Sequence, residues 1–450
     1  MQTTPNSPAT PLREHGPTTE RGVERPLLLC LSHLRWDFVF QRPQHLLTRA
    51  AQSFRVIFVE EPIFVDVPAP RLVLSPRDGG ITVAVPHLPP GHTPTEVMRL
   101  QRELMSELVE AEGKPQVLWY YSPMALSFSA HIEAPACLYD CMDELSAFRG
   151  AAPDLTLWER RLFARADFVL AGGRTLYQAK RRQHQSVTLL PSSIDTAHFD
   201  RARAKPDDPA DQRDIPHPRL GFFGVIDERF DAELLGEAAA LRPDLSFIMI
   251  GPVVKIDPES LPQAANIHWL GSKSYPDLPR YLGNWDVGIM PFAINESTRF
   301  ISPTKTPEFL AAGLPVVSTP ITDVVSPYGD AGVVEIASGA EDFVAQAASL
   351  LERPRGEWLA RVDAMLANNS WDKSWQRVDR LIHDTLMLKA APAAQVVGKA
   401  SAIQASQGRA SAGPAAAGGG GPGVALSPAP RAWAGDSRLR ARAASAAGKE

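Results

Sequence analysis

The sequence predicts an α/β protein built from two Rossmann-like domains facing each other across a cleft. Three observations carry that prediction. Short apolar runs alternate with helix-length segments, the pattern of parallel strands buried on both faces within β-α-β units. Those runs fall into two series, parted by a polar, proline-rich stretch at 205–218. Between Ser302 and Thr319, a proline-marked turn leads into a short helix, a glycine and a β-branched strand, an order suited to holding an anion.

Taken in chain order, residues 1–25 are polar and proline-rich and read as a disordered arm. The first domain, 26–204, carries expected strands at Leu27–Leu31, Arg55–Val59, Ile81–Val85, Gln116–Tyr120, Ala136–Tyr139, Phe168–Ala171 and Val187–Leu190. The stretch 205–218 reads as the linker. The second domain, 219–370, carries Leu220–Phe223, Phe247–Ile250, Ile267–Leu270, Val287–Met290, Pro315–Ser318 and Val333–Ile336. Each run is too short for a helix and bounded by turn residues. A final helix, 371–389, bears Trp371 and Trp375 on one face and packs on either domain. From 390 to 450 the chain is rich in Ala, Gly, Pro and Ser and reads as a disordered tail.

Composition narrows the function. The 450 residues carry a net charge of −5, which gives no global nucleic-acid footprint. Three cysteines, Cys30, Cys137 and Cys141, imply no disulfide framework and point to a reducing, cytoplasmic setting. No apolar run precedes Pro26, so no secretory signal is expected. No uncharged apolar stretch approaches the roughly 18 residues of a membrane span, and peripheral contact with a membrane stays open. No ligand spacing supports a metal.

The stretch Ser302–Thr319 carries the most chemistry. Pro307 fits only the first turn of a helix. The amides near Thr304 to Thr306 therefore lack carbonyl partners inside that helix. Together with Lys305 and the positive end of the helix dipole they suit a diphosphate. Glu308, one step on, reaches hydroxyls of whatever carries it.

The segment resembles the donor-binding segment of GT-B glycosyltransferases, in particular family 4, whose pattern ends in E-x-x-A-A-G-x-P-V-V-x-T. Here the matching residues are Glu308, Ala311, Ala312, Gly313, Pro315, Val316, Val317 and Thr319. Further matches extend over about residues 26–388. Pro191, Ser193, Asp195 and Phe199 resemble the signature that ends the first domain. Leu220–Asp227 resembles the first donor-domain strand, with Gly224 letting backbone approach a ligand. His268–Gly271 and Asp286–Phe292 resemble strands flanking the donor. The resemblance implies a hexosyl transfer with retention at the anomeric carbon, in the manner of enzymes that build surface polysaccharide. It implies a nucleoside-diphosphate sugar donor, UDP first and GDP second, with no required cofactor or metal, and a glycan or lipid-linked acceptor. It places Glu308 on the ribose, and Ser302, Thr304, Lys305, Thr306 and Gly224 about the diphosphate. Gly271 falls near the base.

Three departures stand out. Phe300 occupies the position of a sugar-contacting glutamate. Arg229 is the one cation after the first donor-domain strand, so Arg299 and Lys305 are expected to supply missing charge. No glycine-rich turn follows the first strand of the chain. In the first domain, His33, Arg35, Trp36, Gln41 and Arg42 crowd one loop over the cleft. An acceptor sugar would stack on Trp36 and bond Arg35, Gln41 and Arg42; the alternative is that Trp36 packs and Arg42 pairs with an acid. Asp140, Asp143 and His33 are the candidate catalytic groups, with helix capping the alternative for Asp143. Two other functions fit such a fold: a non-catalytic sugar-nucleotide-binding subunit and a sugar-nucleotide epimerase.

Overall fold

The computed structural model describes residues 25–391; the expected arm and tail lie outside them. The chain forms two separate sheets. The first holds β1 (Leu27–Leu31), β2 (Arg55–Val59), β3 (Ile63–Phe64), β4 (Arg71–Arg77), β5 (Ile81–Leu88), β6 (Val117–Tyr120), β7 (Ala136–Cys141), β8 (Phe168–Ala171) and β9 (Val187–Leu189). Its order is β3-β5-β2-β1-β6-β7-β8-β9, parallel throughout, with β4 added antiparallel to β5. The second holds β10 (Arg219–Phe223), β11 (Ser246–Ile250), β12 (Ile267–Gly271), β13 (Val287–Met290), β14 (Val316–Ser318) and β15 (Val334–Ile336). Its order is β12-β11-β10-β13-β14-β15, all parallel.

Both faces of both sheets are buried, which explains the unbroken apolar runs. In β1, Leu27, Leu29 and Leu31 enter one core, while Leu28 and Cys30 enter the core on the opposite face. All three cysteines are buried free thiols. The helix Trp371–Ala390 covers the first sheet: Trp371, Trp375, Val378 and Ile382 share a core with Leu28, Cys30 and Trp119. The expected strands all form, with shifts at their ends. The additions are β3 and β4, which sequence reasoning passes over. In β4 no residue is fully buried, and its apolar run, Leu72–Leu74, is cut short by Ser75 and Pro76, a proline tolerated only at an edge.

This topology fixes the site. Chain order reverses on either side of β1, flanked by β2 and β6, and again at β10, flanked by β11 and β13. Ligands of open α/β sheets bind beyond the carboxyl ends of strands at such switch points. The residues just past β1 and β10 line one shared cleft. The two halves also touch directly. Phe40 stacks on Tyr275 at 4.6 Å between ring centres. The Asp323 carboxylate accepts from the amides of Arg174 at 2.7 Å and Thr175 at 3.1 Å.

Candidate active site

The cleft holds two cavities that share Val39, Gly224, Val225 and Lys305. The outer one, about 400 Å³, is bounded by Trp36–Phe40 of the first domain. Opposite lie Gly251, Ser272–Pro276 and Glu308. The inner one, about 150 Å³, is bounded by Gln41, Arg42, Asp143, Arg229, Ser302 and Thr304.

Backbone shape opens the wall formed by the second sheet. Gly224 ends β10 with φ +148° and Gly251 ends β11 with φ +146°. A Cβ on Gly251 would lie 1.7 Å from the carbonyl oxygen of Gly224, so the two loops touch backbone to backbone. Gly251 is a site residue that sequence reasoning missed; its signal was a glycine directly after the buried run Phe247–Ile250. Gly271 also has a positive φ, +67°, but a Cβ there meets nothing within 4 Å. Gly251→Ala is therefore expected to lower the melting temperature well below that of Gly271→Ala, because only the first adds a backbone clash to the dihedral strain.

The helix Lys305–Ala311 supplies the charged groups. The Lys305 ammonium sits 5.3 Å from the ring centre of Phe223 and 3.1 Å from Thr304 Oγ1. Among the described residues, the amides of Thr304 and Lys305 have no hydrogen-bond partner. The Thr306 amide does, donating to the carbonyl of Pro303 at 3.3 Å. Thr306 is also fully buried, with its hydroxyl against Met290 Sδ at 3.4 Å. Thr306 thus departs from the expectation of a ligand group: the first turn folds back on the turn before it.

Glu308 projects from the same helix. Its side chain is 12% exposed and its Oε2 has no hydrogen-bond partner, with Lys305 Nζ 3.9 Å away. Burial pushes its carboxyl up to about 7, against the pull of Lys305. A carboxylate so placed is under-bonded and faces a cavity, the state expected of a group that awaits hydroxyl donors.

Other expected residues are differently employed. Arg42 is 1% exposed and Asp140 0% exposed. Arg42 Nε donates to Asp140 Oδ2 at 3.0 Å, Nη2 lies 2.8 Å from Oδ1, and Nη1 donates to the Leu190 carbonyl at 2.6 Å. Burial opposes the Arg42 charge, and the Asp140 carboxylate more than offsets it, holding the guanidinium protonated. Arg42 as an acceptor ligand and Asp140 as a catalytic group are thereby corrected: each is committed to the other. Trp36 is buried edge-on against Phe58 at 5.1 Å, with its amide donating to Glu60 at 2.8 Å. Arg35 pairs with Glu60 at 2.9 Å and donates to the carbonyl of Glu61 at 2.6 Å. Both fasten the loop after β1 to the end of β2, so neither is a free acceptor ligand. Gln41 lines the inner cavity, one residue before the helix Arg42–Ala50.

Of the cations expected at the diphosphate, Arg229 lines the inner cavity but grips Asp227 at 2.9 and 2.7 Å, which cancels much of its charge. Arg299 is exposed, lies over the ring of Phe300 at 5.3 Å, and lines neither cavity. Phe300 itself packs toward the core under the first sheet. Lys305, whose nearest carboxylate is Glu308 at 3.9 Å, is the one expected cation that faces both cavities. Of the catalytic candidates, His33 lines neither cavity, and burial, aided by Lys255, lowers its imidazole to about 4, so it is neutral at pH 7. Asp143 does face the inner cavity, and its carboxylate makes no hydrogen bond among the described residues. Burial raises its pKa, with Arg229 opposing. No cluster of three His, Cys, Asp or Glu suited to a metal occurs among the described residues. No described helix is long and apolar enough to cross a membrane.

Similarity to known proteins follows the same division. Residues 217–353, which hold the Glu308 helix, match the family model described as glycosyl transferases group 1. Over 238 residues the chain is 28% identical to TuaH of Bacillus subtilis (strain 168), whose name assigns it, short of demonstration, as a teichuronic acid biosynthesis glycosyltransferase. That match takes in 48% of this chain and 59% of the relative. Among solved structures, HepE of Anabaena in complex with UDP and glucose superposes with a TM-score of 0.60 at 14% identity, over 79% of this chain and 99% of that one. Sucrose-phosphate synthase of Thermosynechococcus elongatus gives 0.59 at 14%, over 80% and 99%. The Escherichia coli trehalose-6-phosphate protein bound with UDP-2-fluoro glucose gives 0.59 at 12%, over 81% and 99%. At such identities the likeness shows the fold, which is GT-B.

Proposed function

We propose that this chain, related over residues 217–353 to the group 1 glycosyl transferases, is a hexosyltransferase that takes a sugar from a nucleoside diphosphate, UDP before GDP. The acceptor is a glycan or lipid-linked sugar in cell-surface polysaccharide assembly, at the cytoplasmic side of a membrane. One observation carries the reading: Glu308, whose Oε2 has no hydrogen-bond partner, and Lys305, 3.9 Å from that oxygen, face one interdomain cavity from one helical turn. Glu308 would take the ribose hydroxyls. Lys305 and the Thr304 and Lys305 amides would take the diphosphate, and Ser272–Tyr275, just past Gly271, would border the base. Asp143 would accept a hydrogen bond from a sugar hydroxyl where the two substrates meet.

In this arrangement negative charge grows on the diphosphate as the sugar leaves. Groups fixed in advance beside it stabilise that charge more than they stabilise the ground state. The overall outcome is retention at the anomeric carbon.

Lys305→Met tests the reading, since it removes the charge and keeps much of the bulk. Turnover, measured as release of nucleoside diphosphate in the presence of an extract-derived acceptor, is expected to fall at least about tenfold, or about 1.4 kcal/mol of barrier. UDP affinity is expected to fall less. A folded variant with unchanged turnover removes Lys305 from the mechanism. Wild-type protein that binds UDP-sugars and never turns one over is a binding subunit instead. One that interconverts two UDP-sugars with no acceptor is an epimerase.

A further inference from the structure

Apart from the interdomain cleft, the first domain holds a cavity of about 700 Å³. Its floor is the carboxyl edge of the first sheet. Ser32 follows β1, Glu60 follows β2 and Ser122 follows β6, three neighbouring strands. Glu60 is taken up by Arg35 and the Trp36 amide. Ser122 and Gln101, both buried, also line it. Its wall is different in kind. Val97 and Met98, in the first two turns of the helix Pro94–Glu112, face it beside Met124 and Phe128. Val97 and Phe128 also press on the core beneath.

We infer that this chamber receives an acceptor joining a sugar to an apolar chain, the sugar on the strand edge and the chain along Val97, Met98 and Phe128. The word acceptor rests on the glycosyl transfer proposed above; the chemistry of the ligand rests on the wall. A free oligosaccharide suits that wall poorly. Val97 and Met98 offer no hydrogen bond, so a hydroxyl pressed on them would lose its water without a substitute. Of the three aromatic rings on the lining, Phe64, Phe128 and Trp158, the last already carries the Arg161 guanidinium at 4.7 Å. Its ring N–H is held by Asp154 at 2.8 Å. An alkyl or isoprenoid chain, by contrast, gains with every methylene buried on Val97 and Met98. The volume lies within the range that encloses a ligand larger than one sugar ring.

The test uses the full chain and three probes with one head group: methyl, octyl and decyl β-D-glucopyranoside, each below its micelle threshold, titrated calorimetrically. Affinity is expected to rise at least about tenfold from the methyl to the decyl probe. Met98→Glu and Val97→Asp, both at half-buried positions, are each expected to abolish that rise. Arg99→Glu, exposed on the same helical turn and outside the cavity, is expected to keep it. UDP affinity measured on the same samples should not change in any of the three. Affinity that is flat with chain length, or a rise that survives both wall substitutions, overturns the apolar-chain assignment whatever UDP does. A rise in a protein that binds no UDP keeps the chamber's chemistry and removes the donor reading.

Discussion

Asp140→Ala is expected to remove about 3–5 kcal/mol of stability, the cost of leaving a buried guanidinium without its carboxylate. That is a large part of the margin of an ordinary domain. The geometry makes the cost high. Arg42 and Asp140 meet at 3.0 and 2.8 Å with no exposure worth the name, and the remaining nitrogen of the fork is spent on the Leu190 carbonyl. Arg42 opens a helix, Asp140 lies in β7 and Leu190 follows β9, so the pair joins three segments beneath the cleft. Urea unfolding checks it. The double variant Arg42→Met, Asp140→Leu should recover most of the loss, since it removes both charges together. If Asp140→Ala unfolds at the wild-type urea concentration, the pair is not the clamp its burial indicates.

Glu308→Gln is expected to act in opposite directions on stability and on binding. The folded carboxyl titrates near 7 against an ordinary 4.5 because burial opposes its charge. Between those values the folded chain holds a proton that the unfolded chain has lost. Stability therefore declines as pH rises through that window. Glutamine carries no such charge, so the variant should match wild type near pH 4 and exceed it by about 3 kcal/mol at pH 8. Urea midpoints at the two pH values check this, and equal midpoints at pH 8 would contradict a buried, under-bonded carboxylate. Binding should move the other way. Only the ionised form accepts from both ribose hydroxyls at full strength, so affinity for a nucleoside-diphosphate sugar should climb as pH passes 7. Such a donor has no phosphate that titrates there. Loss of those bonds should cost the variant about 1–3 kcal/mol of affinity at pH 8. A site that gives up stability to hold a charge ready for a ligand would show both signs at once.

The sequence by itself determined the two sheets and the helix that carries Lys305 and Glu308. Strands buried on both faces write themselves as continuous apolar runs, and Leu27–Leu31 and Phe247–Ile250 are legible because every residue in them is buried. Pro307, Gly313 and Pro315 bracket the short helix through local dihedral limits, which need no partner elsewhere in the chain. For that reason Lys305 and Glu308 could be found from order alone. Strand β4 was not legible, because its apolar run stops after Leu74 and a proline follows at 76.

What only the tertiary structure decided was which polar groups are free. Arg42 and Asp140 are 98 residues apart, and Arg35 and Glu60 are 25 apart. No local pattern says that they meet, yet meeting removes three of these four from the list of expected ligands. Arg229 is tied to Asp227 and Thr306 is turned inward, while Asp143 is left open to the cavity. A charged side chain reads the same in sequence whether it awaits a ligand or is neutralised by a distant neighbour. Ion pairs form through space, and the energy of a buried charge depends on what folding brings within a few ångströms of it.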